Sequence, residues 1–187
     1  NTVSVAATSE QIADAVVRLS DVFLQLEDDP ELLDASQEAE LEQLHTTTVI
    51  EPIEAAGLTA PALSALLPQS AAGRYLQYHY SVQNPFPEGE RRNLVESETD
   101  ASAYRDLHAE TQPGLVRFAD ELGFGDLLLV DARGNVVFST NKRIDLGTAI
   151  EDTRGRPDDP LTILGRRLAA APSGDTVLSD FHIYLPA

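Results

Sequence analysis

The feature that most constrains this chain is a change of period at Gly123. Before it, apolar residues recur at steps of three and four; after it they come in short unbroken runs. Asp126-Leu-Leu-Leu-Val-Asp131 is one run and Val136-Val-Phe-Ser-Thr140 another, with Arg133-Gly134-Asn135 supplying turn chemistry between them. That pattern reads as a β-hairpin. Strands are expected near 126–131, 135–140 and 176–184. Alternate residues of a strand share a face, so Leu128, Val130, Phe138 and Thr140 are expected to line one side of the sheet.

Upstream of Gly123 the reading is helical. Thr8 and Gln11 have the spacing of a capping box, and Ile12, Val16, Leu19, Phe23 and Leu26 follow as an apolar seam. The seam packs either within its own bundle or against the same helix of a second subunit. Asp28-Asp29-Pro30 closes this helix and opens a second over 31–51, ended or kinked by Pro52. A short helix over 61–67 and a longer one over 69–82 come next. The loop Asn84–Gly89 then leads to a helix over 101–122, with Asp100 as its cap, Pro113 bending it and Gly123 stopping it. A last helix is expected over 161–171. The result is an α+β chain, with a helical region over 1–100 followed by a sheet-bearing region over 101–187, packed as one unit.

Four segments in this order resemble PAS-like Cache domains, the extracytoplasmic sensor regions of bacterial transmembrane receptors. They are Tyr75–Pro85, Gly125–Thr140, Lys142–Thr148 and Ser179–Pro186. The resemblance implies a helical bundle region followed by a PAS/Cache-like antiparallel sheet of five strands, with a ligand pocket beside it. Only three strand candidates are present, so the last two are expected beyond Ala187. It also implies signal transduction from the periplasmic or extracellular face of the inner membrane, in a membrane-anchored parent whose N-terminal helix favours a homodimer. The parent type is a chemoreceptor, histidine kinase, nucleotide cyclase or phosphatase.

Charge narrows the partners. The chain carries 13 basic and 31 acidic residues, a formal net charge of -18. Nucleic acid and anionic lipid would repel it. There is no cysteine, so disulfides and thiolate chemistry are excluded. Lys142 is the only lysine among the 13 basic residues, a bias that reads as genome composition rather than as a site. No run approaches the roughly 20 apolar residues that cross a bilayer.

Catalytic motifs are lacking. His45, His79, His108 and His182 are widely spaced, so no short motif assembles a metal site. No Gly-x-Ser-x-Gly elbow occurs, and Gly123-Phe124-Gly125 precedes a strand rather than following one. No catalytic residue, metal or cofactor is therefore expected, and the fragment is not expected to be an enzyme. The aromatics are more informative: ten of the eleven lie from Tyr75 to Tyr184. Buried tyrosine hydroxyls need partners, and a pocket combines them with a few charges. Asp126, Asp145 or Asp180 are placed to receive a cationic group, and Arg74, Arg105 or Lys142 an anionic one. The expected ligand-binding set is Tyr104, His108, Phe138, Thr140, Lys142, Asp145, Asp180 and Tyr184, for a small molecule of amino-acid or amine-like character. The alternative is a ligand-free structural or dimerisation module of the same fold.

Overall fold

A computed structural model describes residues 2–29, 32–150 and 160–170. It is an α+β chain, with a series of helices before a short antiparallel hairpin. The expected third strand, and with it Asp180 and Tyr184, lies outside the described residues.

Helix α1 spans Thr2–Glu27, starting well before the expected capping box. Thr2–Ala7 contains no proline or glycine, so nothing stops the helix from running through Thr8. Its seam behaves as the spacing predicts: Leu19, Phe23 and Leu26 are buried, and Ile12 and Val16 pack against the same core. The second helix, α2 (Ala35–His45), begins later than expected because Asp34 is its true cap. The Asp34 carboxylate accepts from the backbone of Ser36 and Gln37 (2.8 and 2.9 Å), and the Gln37 side chain accepts from the Asp34 N–H. Nor does Pro52 end the helical path. A wide π-turn over Thr46–Ile50 precedes it, and α3 (Glu51–Ala55) carries the proline in its first turn, where the missing N–H costs nothing.

After α4 (Leu63–Leu66), helix α5 (Ala71–Gln77) and the π-turn Tyr78–Val82 form the centre of the molecule. Every residue from Tyr75 to Ser81 is buried, so this segment has no solvent face. Its start is fixed by the Glu27 carboxylate, which accepts from the Ala72 N–H at 2.8 Å. Helix α6 (Ala103–Leu122) is capped by Ser102 rather than Asp100 and carries Pro113 inside it. Gly123, with φ +71, ends it in a left-handed cap.

Strands β1 (Leu128–Val130) and β2 (Val136–Ser139) pair antiparallel, as the two apolar runs require. Their register corrects one expectation. Leu129, not Leu128, stands opposite Phe138, and a shift between Leu129 and Val130 pairs Val130 with Val136. Cross-strand partners share a face. The core face is therefore that of Leu129 and Phe138, and Leu128 and Val130 stay half-buried. The Asp131 carboxylate shapes the turn by accepting from the N–H groups of Arg133 and Asn135, and Ser20 of α1 donates to it at 3.1 Å.

The chain then folds back beside β2, where Val136 N–H donates to Thr148 O and Gly147 N–H to Val136 O, both at 2.8 Å. This return passes directly over α5. A Cβ placed on Gly73 would lie 2.2 Å from Gly147 O, and one on Gly147 would lie 2.4 Å from the Gly73 Cα. Backbone meets backbone there. Helix α7 (Pro160–Ala169) closes the described chain, with the Thr162 hydroxyl donating to Ile150 O at 2.8 Å. One core cluster joins α1, α5, α6 and both strands, so the two halves of the sequence share an interior.

Candidate functional site

The site lies where α6 crosses the end of the hairpin. Tyr104, His108 and Gln112 occupy successive turns of α6 on one face, the i, i+4, i+8 spacing of helical neighbours. All three are buried. Opposite them stand Phe138 and Ser139 from β2, then Thr140 and Lys142 from the turn that follows.

Tyrosine hydroxyls are mostly satisfied within the protein. Tyr104 Oη donates to Val137 O at 2.9 Å. Tyr75 and Tyr80 donate to the two oxygens of Asp100 (2.8 and 2.7 Å), which also accepts from the Ser102 N–H. That is why Asp100 does not cap α6: its carboxylate is already engaged by the central helix. Burial pushes the Tyr75 hydroxyl up to about 12, with Asp100 adding to the effect, and raises those of Tyr80 and Tyr104 as well.

The remaining polar groups are less complete. His108 Nδ1 lies 2.8 Å from Val95 O, so that nitrogen carries the proton and Nε2 is a bare acceptor. Among the described residues no group bonds to Nε2. The ring is enclosed by Tyr80, Tyr104 and Phe138, at centroid distances of 4.6, 5.9 and 5.5 Å. Burial, reinforced by the charge of Lys142, pushes the imidazole down to about 3. One turn on, the Gln112 amide nitrogen donates to Arg92 O at 2.7 Å and Thr140 O at 3.2 Å, and its Oε1 has no partner among the described residues.

Lys142 completes the group. It is fully buried and has φ +52, the one non-glycine residue with positive φ among those described. Such a conformation costs about 1–3 kcal/mol and persists only where the surroundings enforce it. Here Ser139 Oγ accepts from its N–H at 2.9 Å, and the Ser81 hydroxyl donates to its carbonyl at 2.7 Å. Its ammonium donates to Thr140 O at 3.1 Å. Burial draws the amine down to about 7, opposed by Asp126 and aided by Arg92. Asp126 in turn accepts from the Thr140 hydroxyl at 2.6 Å and from the Leu127 and Asn141 N–H groups.

Comparison with family models, curated proteins and solved structures finds no match. The site must therefore be read from its own chemistry. His108 Nε2 and Gln112 Oε1 are acceptors in need of donors, and the Lys142 ammonium has donor capacity beyond its bond to Thr140 O. Together they suit a small polar molecule that accepts from the lysine and donates to the other two. Among the described residues no group of acidic or histidine side chains is arranged to hold a metal ion.

Five of the eight expected residues meet here: Tyr104, His108, Phe138, Thr140 and Lys142. Asp145 is buried on the far limb of the return segment, between Ile144 and Leu146, whose carbonyls accept from the Gln77 amide. Sequence reasoning missed Gln112, whose one signal is its place four residues after His108. Lys142 was expected only as one of three cations that could receive an anionic group, and it is the most unusual residue in the site. A second feature lies across α6, an open groove of about 510 Å³ shared with α1. It is lined by Ile12, Leu115 and Phe118, with Arg18 and Glu110 paired through two hydrogen bonds.

Proposed function

We propose that this chain is the ligand-sensing portion of a membrane-anchored signalling receptor, lying on the extracytoplasmic side and binding a small molecule between α6 and the hairpin. One observation carries the reading: a fully buried, backbone-strained lysine shares a site with two buried acceptors that no described residue satisfies. Buried polar groups are ordinarily paired, and incomplete clusters mark places where a ligand or water completes the set. The order of elements adds support, since a long helix leads into a core shared with the hairpin. A ligand that shifted α6 against the hairpin would move groups in contact with α1.

The site chemistry also alters the expected ligand. A lone amine would be repelled by Lys142, so a molecule with an acceptor or acidic group toward the lysine and donors toward His108 and Gln112 fits better. An amino acid presented carboxylate-first meets both demands.

The second reading is a ligand-free structural or dimerisation module. Phe138 favours it, because the ring is wholly buried on the sheet face expected to border a cavity. A thermal-shift screen of small metabolites, followed by calorimetry on wild type, Tyr104→Phe and Lys142→Met, separates the two. Sensing predicts a saturable hit that Lys142→Met weakens by about tenfold or more. A screen without hits favours the structural module, and a hit indifferent to both substitutions moves the site elsewhere.

A further inference from the structure

Arg91 stands out on the 3₁₀ turn Glu88–Asn93. Its side chain is only 8% exposed and its Nε is shut off from solvent with no partner. Among the described residues it makes no side-chain hydrogen bond and no ion pair. Glu88, on the same turn, is near enough for its charge to act on Arg91 but does not pair with it. Arg143 acts in the opposite sense and opposes the arginine's own charge.

Hydrogen bonds bring these two arginines together. Asn84 Nδ2 donates to Tyr80 O at 2.9 Å and to Arg91 O at 3.3 Å, tying the Arg91 turn to the central π-turn. The Ser81 hydroxyl donates to Lys142 O, tying the Lys142–Arg143 turn to the next residue of that same π-turn. Gln112 then bridges Arg92 O and Thr140 O from α6. Both turns are thus anchored on Tyr80–Ser81.

A guanidinium offers five N–H donors and does not lose its proton in a protein. Shutting its Nε away from water unpaired costs free energy, a penalty arginine cannot escape by neutralising. Lysine can do so and Lys142 partly does; arginine has no such exit. An anion brought to its outer nitrogens would offset that cost. Arg91, Arg92, Lys142 and Arg143 are four of the chain's 13 basic residues, gathered in a protein of net charge -18. Arg92 is engaged by Asp120 at 2.7 Å, and Asp126 opposes Lys142. Elsewhere the acidic surface would turn an anion away, so the cluster gives it a local reason to stay.

We propose that Arg91, with the charge of Arg143 beside it, is the anion-receiving element of the binding site and takes a small oxyanion group, a carboxylate or a phosphate, borne by the ligand. The fork of Arg91 matches either group through two parallel hydrogen bonds. The proposal rests on the ligand-sensing reading and deepens it: the ligand is acidic, and Arg91 is what selects it.

The test titrates the purified chain with sodium succinate and with inorganic phosphate, at fixed ionic strength, by calorimetry and by thermal shift. Wild type, Arg91→Gln and Arg91→Met are compared. The expected result is saturable binding of one anion to wild type, weakened about tenfold or more in Arg91→Gln. Arg91→Met, which removes the unpaired charge, is expected to melt higher than wild type without anion and to gain nothing from it. Binding of succinate alone identifies a carboxylate ligand, and of phosphate alone a phosphorylated one. Saturable binding to neither, or equal binding by wild type and Arg91→Gln, overturns the proposal. If a metabolite screen yields only neutral or cationic hits, unaffected by Arg91→Gln, ligand sensing stands and the anion role falls. If an anion binds through Arg91 but no metabolite binds more tightly than the bare ion, the anion role stands and sensing falls.

Discussion

Helices α1 and α6 contribute to the same core and touch one another, yet they fill it with opposite chemistry. Over its last three turns α1 buries Leu19, Phe23 and Leu26, with no polar side chain among them. Across the first three turns of α6 one face carries Tyr104, His108 and Gln112. Apolar burial is non-directional and costs nothing if a contact shifts slightly. A buried amide or imidazole is directional, and each unmet atom costs about 1–3 kcal/mol. Stability is therefore concentrated on α1, and the capacity to respond to an added molecule on α6.

That contrast can be broken most severely at Phe23, which is 1% exposed. Phe23→Ala is expected to cost about 3–5 kcal/mol in urea unfolding, equally at pH 6 and pH 9, because no titrating group is involved. A loss under 1 kcal/mol would mean that α1 is not the stabilising wall.

Lys142→Met should act in the opposite direction. Folding draws this amine from 10.5 to about 7, so between those values the unfolded chain holds a proton that the folded chain lacks. Stability contributed through Lys142 therefore rises with pH across that window, and the full penalty applies below about 7. The variant is expected to be more stable than wild type by about 2–4 kcal/mol at pH 6, with the gain shrinking toward pH 10. A constant difference across the range would place the amine in water.

His108 sharpens the comparison on the acid side. Its folded value, about 3, lies below the usual 6.5, so stability present above 6.5 is lost as the pH falls toward 3. Unfolding free energy is expected to drop by about 2–3 kcal/mol between pH 6.5 and 4 through this residue, and His108→Leu should flatten that part of the curve. Equal slopes in the two proteins would remove His108 from the buried site.

The smallest effect belongs where the two helices meet at the surface. Arg18 and Glu110 are both well exposed and joined by two hydrogen bonds, one of 2.9 Å. Arg18→Gln is expected to leave the urea midpoint almost unchanged, and any change should vanish in high salt. A larger, salt-independent loss would give this exposed pair a structural weight that the comparison denies it.

What the sequence revealed follows the same division. The α1 seam, the hairpin and its turn, and the Gly123 stop could all be read from local spacing, because each rests on interactions within a few residues. The start of α2 and the course past Pro52 were harder. There the outcome depends on which acidic residue, Asp34, caps the helix and on a π-turn that re-registers the helix before the proline. The strand face was misjudged because a one-residue shift between Leu129 and Val130 breaks strict alternation. Tyr104, His108 and Thr140 were found because aromatic and polar residues cluster near them in one dimension. Gln112 and Arg91 were not, since the distinction of each is a missing partner, and spacing along a chain does not record absences.

The contact between Gly73 and Gly147 has a consequence for how this chain can vary. Gly89, Gly114 and Gly125 face open space where a Cβ would go, so a library of single substitutions selected for folding should accept alanine at all three. At positions 73 and 147 the same library should return glycine alone. These two residues hold no charge and offer no side chain to a ligand, yet they form a mutual veto between distant parts of the sequence. Neither can become smaller to make room for the other, so no second substitution at the partner position rescues the first.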